Sequence, residues 1–258
     1  MSAGASDGGC AWITGASSGL GYALARHMAT DGWSVAVSAR STEPLDELAR
    51  RAANLKGKIR SFPLDVTDPQ AVTASVEQIE RDLGPIAQAV LNAGNHQPVR
   101  AADLTAKAFR GLTELNLMGT AHCLTAVLPG MMARRGGRIA VVASLAGYTG
   151  LPTAAAYGMT KAGLINMCEA LKPELDGHGI TLQLVNPGFV RTPLTDKNDF
   201  EMPFLMELEE AAEAFYRGLR SERFEIVFPK RFAFLLKLLR CLPYPLAFAI
   251  TRRMVPRS

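Results

Sequence analysis

The sequence predicts a doubly wound α/β fold. One parallel sheet carries helices on both faces, in a single domain with a C-terminal helical extension. Three observations lead there. Short runs rich in Val, Ile and Leu recur along the chain, mostly without polar alternation, as strands buried on both faces require. The segments between them are long enough to be crossover helices. A glycine-rich stretch, 15–21, falls between the first apolar run and the first helical pattern.

The apolar runs are 11–14, 34–39, 59–64, 87–91, 138–143, 180–185 and 224–228. After the first, Leu20, Leu24, Ala25 and Met28 recur at helical spacing and Gly32 supplies a stop. Residues 112–124 read as helical and contain Asn116, and the Ala- and Leu-rich stretch 162–171 suits burial in a helix. Residues 188–204 read as a long loop, followed by a short helix over 205–219, and such an excursion is usually functional. No internal repeat or Pro/Gly/Ser linker divides the chain. The expected segments are a flexible N-terminus over 1–9, a dinucleotide-binding and catalytic domain over 10–229, and a basic apolar extension over 230–258.

Composition narrows the function classes. With 48% hydrophobic and 20% charged residues over 258 positions, the chain is neither disordered nor low-complexity. Its net charge of +4 is unevenly spread: seven Lys/Arg and no Asp/Glu lie beyond residue 229, which leaves the rest at −3. The basic character therefore belongs to the tail, and a nucleic-acid-binding face across the domain is disfavoured. Cys10, Cys123, Cys168 and Cys241 form no C-x-x-C pair, so neither a metal site nor a disulfide framework is expected, and a reducing cytoplasm is the expected location. No signal peptide is evident at the N-terminus. His27, His96, His122 and His178 lack ligand spacing and read as ordinary surface or core residues; His96, just after Asn-Ala-Gly, is also placed to line a pocket.

The turn Thr14-Gly15-Ala16-Ser17-Ser18-Gly19-Leu20-Gly21 has the spacing G-x-x-x-G-x-G. Glycines let a backbone turn sharply and approach a pyrophosphate, and a helix N-terminus behind them offers free N–H groups. Tyr157 and Lys161 are four apart in a helical pattern and so share one helix face. Ser144 follows the 138–143 run, at the strand end where open α/β sheets bind ligands. Singly, each has an ordinary reading: a tight turn, a packing tyrosine beside a surface lysine, a strand-end serine.

Together the chain resembles a short-chain dehydrogenase/reductase of the shorter type, about 250 residues with a Rossmann-like fold. The matching pieces are Thr14 to Gly21, Asp65-Val66, Asn92-Ala93-Gly94, Asn116, Ser144, Tyr157-x-x-x-Lys161, and Pro187-Gly188 with Val190 and Thr192. They run in the family's order from about residue 10 to 229. The resemblance implies hydride exchange between a nicotinamide cofactor and a carbonyl or alcohol. Gly15, Ser17, Ser18, Gly19, Leu20 and Gly21 would hold the pyrophosphate end. Asp65, with Val66 beside it, would accept from the adenine amino group, and Asn92, Ala93 and Gly94 would line the adenosine side. Pro187, Gly188, Val190 and Thr192 would hold the carboxamide end. Tyr157 would be the acid/base, its pKa lowered by the Lys161 ammonium and by the positive ring of oxidised cofactor. Lys161 would also bond the nicotinamide ribose, Ser144 would orient the substrate oxygen, and Asn116 would bend its helix and complete a proton relay.

In that family an acid near the end of the second strand tends to mark NAD users. Here Ala39 stands in its place and Arg40 follows, a guanidinium suited to a 2′-phosphate, with Ser17 and Ser41 as further donors. NADP(H) is therefore favoured over NAD(H). Members usually form dimers or tetramers through the helices carrying Asn116 and Tyr157, so a homodimer or homotetramer is expected.

The excursion after Gly188 carries Phe189, Val190, Leu194, Phe200, Met202, Phe204, Leu205 and Met206, which suggests a lipophilic substrate, although a lid that merely excludes water needs apolar residues too. In the tail, Phe232, Leu235, Leu236 and Leu239 fall on one helix face and Lys230 and Lys237 on the other, where Phe234 and Leu238 interrupt them. Two prolines and internal cations argue against a membrane span. Two readings stay open: peripheral contact with an anionic membrane, or packing on the domain or another subunit, where a tail docked beside the excursion would also wall the substrate pocket. A non-catalytic NADP(H)-binding regulator, a membrane-surface scaffold and an enzyme acting on small polar carbonyls are the alternative function classes.

Overall fold

The computed structural model describes residues 9–197 and 201–255. The expectation of a flexible N-terminus falls almost wholly outside the described residues, as do Phe200 of the excursion and the last three residues of the tail.

Seven strands form one all-parallel sheet: β1 (Cys10–Thr14), β2 (Ser34–Ser38), β3 (Lys58–Ser61), β4 (Ile86–Leu91), β5 (Gly137–Val142), β6 (Ile180–Pro187) and β7 (Glu225–Phe228). Their spatial order is β3-β2-β1-β4-β5-β6-β7. The order reverses between β1 and β4, so the crossovers leave those two strands towards opposite faces and open a crevice at their carboxyl ends.

The central strands β1, β4 and β5 are almost wholly buried because both sheet faces are covered, whereas the edge strand β3 exposes Lys58 and Arg60. One layer holds α1 (Gly19–Thr30), α2 (Thr42–Arg51) and α7 (Leu208–Leu219), packed around Ile13, Leu24, Val35, Leu48 and Phe215. The other holds α3 (Pro69–Leu83), α5 (Gly119–Arg134) and α6 (Ala155–Gly177), around Trp12, Ile79, Leu91, Ile139 and Leu164. The short α4 (Ala106–Leu112) leads into Thr113–Met118, wound as a π-helix, before α5 begins. The sequence predicts one continuous helix here; the wider turn carries Asn116 inward, where it is fully buried.

Local signals behave as their chemistry dictates. Asp68 caps α3, its carboxylate accepting from the amides of Gln70 and Ala71 at 2.9 and 3.0 Å, with Pro69 in the first turn. Gly32 stands at φ +97° just past α1. The helix expected from residue 205 starts at Leu208, because Met206 pairs with the chain after β6. Its amide donates to Phe189 O at 3.0 Å and its carbonyl accepts from Arg191 N at 2.9 Å.

The tail forms α8 (Lys230–Cys241) and α9 (Tyr244–Thr251), followed by a short 3-10 turn at Arg252–Met254. The buried face of α8 is Phe232, Ala233, Leu236 and Leu239, continuous with the α5/α6 core. Leu235, expected inward, is half-exposed, and the small Ala233 takes the inner place. A polar cluster fixes the helix from outside: Lys237 donates to Glu225, which also accepts from the Tyr148 hydroxyl and from Asn186 Nδ2. No helix among the described residues is long and apolar enough to cross a membrane.

Because Phe232 fills a place in the main core, Phe232→Ala should cost about 3 kcal/mol of folding stability. Urea denaturation checks this. A loss under about 1 kcal/mol would mean that α8 is docked only loosely.

Candidate active site

The site is built outward from the end of β1. The Thr14 hydroxyl accepts from the backbone amides of Asn92 and Ala93, both at 3.0 Å. The Asn92 side-chain amide donates to the carbonyls of Thr14 and Gly15, also at 3.0 Å. The glycine turn is thereby stitched to the end of β4 across the switch point. Gly15, at φ +66°, lies so close to that segment that an added Cβ would come within 2.8 Å of Ala93 Cα. Gly19 (φ +58°) starts α1, and its N-cap, Ser18, makes no side-chain capping bond. The first amides of α1 are thus left without a side-chain acceptor.

A cavity of about 1000 Å³ runs from this turn along the carboxyl ends of the strands. Of the expected cofactor residues, Gly15, Ser17, Ser18, Gly19, Leu20, Arg40, Asn92 and Gly94 line it near the turn, and Pro187, Gly188, Val190 and Thr192 line it beyond β6. Ser144, Tyr157 and Lys161 line its middle. Gly21, Ser41, Asp65, Val66 and Ala93 do not line it. Gly21 packs beneath the turn, where a Cβ would meet Gly15 O at 2.6 Å. Asp65 accepts from the Thr67 amide and hydroxyl at 3.0 and 2.8 Å. These bonds, the backbone amide first, hold its carboxyl below the usual range, and Arg40 adds to the effect.

Tyr157 and Lys161 project from the first turns of α6. The Lys161 ammonium donates to Val142 O at 2.8 Å and sits 5.7 Å from the centre of the Tyr157 ring. The Ser144 hydroxyl accepts from Ala146 N at 3.1 Å, makes a long contact of 3.4 Å to Pro187 O, and lies near enough to the Tyr157 phenol to favour its ionised form. Asn116 packs behind: its Nδ2 donates to Asn95 O and to Thr160 Oγ1 at 3.0 Å, and its Oδ1 accepts from Asn95 N at 2.8 Å. The Thr160 hydroxyl continues to Tyr157 O at 2.7 Å. Asn116 thus ties the loop after β4 to the helix bearing Tyr157.

The electrostatics differ from the sequence expectation. Burial pushes the Tyr157 phenol up, and the Ser144 hydroxyl only partly offsets this. Burial lowers Lys161 from 10.5 to about 8. With the protein alone, desolvation outweighs the pull of the ammonium on the phenol, and both groups lean towards neutrality.

Sequence reasoning missed several participants. Thr14, Asn95 and Thr160 act through hydrogen bonds that no spacing announces. His96, which its place after Asn-Ala-Gly offered as a pocket residue, does line the cavity, its ring centre 4.5 Å from that of Tyr157. Phe232 stacks on Phe189 and Phe204 at 5.6 and 5.8 Å, and with Leu236 brings the tail into the cavity wall beside Leu151.

Residues 9–202 match the family model described as short chain dehydrogenase. The chain belongs to the short-chain dehydrogenase family. It is 36% identical over 244 residues to an uncharacterized oxidoreductase of Myxococcus xanthus, covering 95% of this chain and 96% of that protein. It is 35% identical to the 3-oxoacyl-[acyl-carrier-protein] reductase FabG of Thermotoga maritima, over 72% of this chain and 75% of the relative. A short-chain dehydrogenase from Sphingobium yanoikuyae, solved in complex with NADPH, superposes with a TM-score of 0.79 at 27% identity, over 91% and 96% of the two chains. Short-chain dehydrogenases are oxidoreductases that bind a nicotinamide cofactor and act on small molecules. The cavity suits such a cofactor: the uncapped α1 amides, the tight approach at Gly15 and Gly19, and a run of pocket from Arg40 to Thr192 match a long, anionic dinucleotide.

The depressed Lys161 has a consequence for stability. The unfolded lysine holds its proton to about 10.5 and the folded one only to about 8, so unfolding takes up a proton between these values. Stability should therefore rise with pH across that window, and the penalty for the buried charge should be full below pH about 8. Lys161→Met in a Tyr157→Phe background, which removes the phenol's own titration, should be more stable than its Lys161 parent near neutral pH. The gap should close towards pH about 10.5, as read by urea midpoints. A gap that stays constant with pH would show Lys161 titrating normally.

Proposed function

We propose that the protein is an NADP(H)-dependent carbonyl reductase acting on lipophilic ketones or aldehydes, and on the matching alcohols in reverse. The observation that carries this reading is one continuous cavity. It joins a phosphate-suited turn with Arg40 at one end, Ser144, Tyr157 and Lys161 in the middle, and a wall of Leu151, Phe189, Phe232 and Leu236 at the other.

The bound nicotinamide supplies or accepts the hydride. The turn from Gly15 to Gly21 would hold the pyrophosphate end of the cofactor, and Arg40, with Ser17 and Ser41, would receive the 2′-phosphate. Asp65 and Val66 with Asn92, Ala93 and Gly94 bound the adenosine side; Pro187, Gly188, Val190 and Thr192 bound the carboxamide side. Ser144 orients the substrate oxygen between itself and the Tyr157 hydroxyl. Tyr157, kept protonated by burial, gives its proton to that oxygen as negative charge develops on it. Lys161 lies behind the ring and favours the phenolate once the proton has left. Asn116 holds the loop after β4 against α6, as the frame of a proton relay. The apolar end excludes water and receives the substrate's hydrocarbon part. We propose a cytoplasmic homodimer or homotetramer assembled through α5 and α6, whose outer surfaces expose Met132 and Met159.

Tyr157→Phe should lower kcat by about 10² to 10⁴ while NADPH binding, followed by nucleotide fluorescence, stays unchanged. Full turnover in that variant would contradict the assignment, and NADPH binding without turnover of any carbonyl in the wild type would make the protein a sensor. Arg40→Ala should weaken NADPH binding about tenfold while leaving NADH binding within about twofold. Across ketones of increasing chain length, kcat/KM should climb. Equal or better use of small polar carbonyls would reduce the apolar wall to a water seal.

A further inference from the structure

We infer that the C-terminal segment is a docking surface for an anionic lipid bilayer, set so that docking brings the substrate end of the cavity to the membrane. The membrane contact stands on the surface of the tail alone; the delivery of substrate rests on the function proposed above.

The surface is unusual in its apolar exposure. No residue of α9 is buried, and Tyr244, Leu246, Phe248 and Ile250 are exposed by 76%, 56%, 57% and 42%. The outer face of α8 adds Phe234 and Leu238 at 63% and 49%. A contiguous patch of this kind marks an interaction site. Tyr244, amphipathic and the most exposed, is of the type favoured at a lipid headgroup boundary. With eight residues, Pro243 just before it and Pro245 within its first turn, α9 suits a position in the interfacial plane rather than across a bilayer.

Charge decides the occupant. Residues 230–258 hold seven Lys/Arg and no Asp/Glu. Lys237 is neutralised by Glu225, whereas Lys230, Arg231, Arg240, Arg252 and Arg253 make no ion pair among the described residues. A second copy is a poor match. A two-fold interface through this patch would set the same cations against their own symmetry mates, and interface cores are depleted in charge. An anionic leaflet meets both properties at once, taking the apolar side chains into its headgroup boundary and the cations against its negative surface. The position is also informative: Arg253, Met254 and Val255, the chain just after α9, line the cavity together with Phe232 and Leu236. A bilayer seated on α9 therefore lies at the lipophilic end of the site.

The purified full-length protein is floated with phosphatidylcholine vesicles and with vesicles that also contain phosphatidylserine. Recovery is expected only with the anionic vesicles and should fall as salt is raised. The double variant Phe248→Ser, Ile250→Ser, at positions without buried contacts, should lose about tenfold in vesicle partition. Arg240→Glu, which leaves the apolar patch intact, should lose binding in the same direction. Both variants should keep wild-type turnover of a short, water-soluble ketone. Equal recovery with neutral vesicles, or recovery with neither, overturns the inference. So does a Phe248→Ser, Ile250→Ser variant that sediments as a smaller oligomer, since the patch would then be a contact between copies. Flotation needs no turnover, so failure of the proposed chemistry would leave this result readable by itself.

Discussion

The stitch between the ends of β1 and β4 is the constraint on which the rest of the site depends. Where the strand order reverses, two neighbouring strands send their crossovers to opposite faces, and their carboxyl ends have no continuing ladder to join them. Asn92 and Thr14 replace that ladder with four hydrogen bonds at 3.0 Å. At roughly 1 kcal/mol net each they contribute about 4 kcal/mol, but their geometric effect is larger. They draw the glycine turn down onto Ala93, which is why Gly15 has room for no side chain, and they aim the start of α1 at the crevice. Cavity, phosphate end and strand-end serine all follow from that placement.

Burial sets the chemical character of the middle of the cavity. An isolated ammonium in a dry pocket is costly, and Lys161 responds by giving up its proton near pH about 8. Its bond to Val142 O survives in either state, because a neutral amine still donates, so the side chain keeps its place while its charge changes. The same dryness keeps Tyr157 protonated, which is the form a proton donor needs. The expectation of a phenol tuned down by its lysine and by an oxidised cofactor counted the neighbouring charges; in the protein alone, burial works the other way and is the larger effect. Residue spacing reveals proximity, whereas desolvation depends on the whole surrounding wall.

What the sequence made legible was local or periodic. Each of the seven apolar runs overlaps a strand, and the central ones are apolar because a strand buried on both faces must be, whatever lies around it; the edge strand β3 keeps only Ile59 buried. Tyr157 and Lys161 share a helix face because the helical period leaves no other outcome. Asn116 was recognisable by its place in the order of motifs, but not the π-helical turn that carries it, since widening a helix leaves no compositional mark. Thr14 was legible as the start of the glycine motif but not as the acceptor of the Asn92 and Ala93 amides, and Asn95 and Thr160 were invisible for a related reason: small polar residues are common, and only the fold brings these against Asn116 and Tyr157. The tail was legible in kind but not in orientation. Helical periodicity pointed Leu235 inward, whereas the space left between α8 and the sheet admits Ala233 and turns Leu235 out.

That orientation changes what the tail is. With Phe232, Ala233, Leu236 and Leu239 in the core and Lys237 held by Glu225, α8 is as firmly placed as the helices of the main layers. Phe204, by contrast, is 44% exposed and reaches Phe232 from a segment joined to the body by the isolated pairing of Met206 with the chain after Gly188. Two surfaces meet at the substrate end of the cavity, one fixed and one lightly held. Phe189 and Phe204 both stack on Phe232, whereas α8 itself fills part of the core. The tail is therefore a fixed wall of the substrate end of the cavity, formed by Phe232 and Leu236.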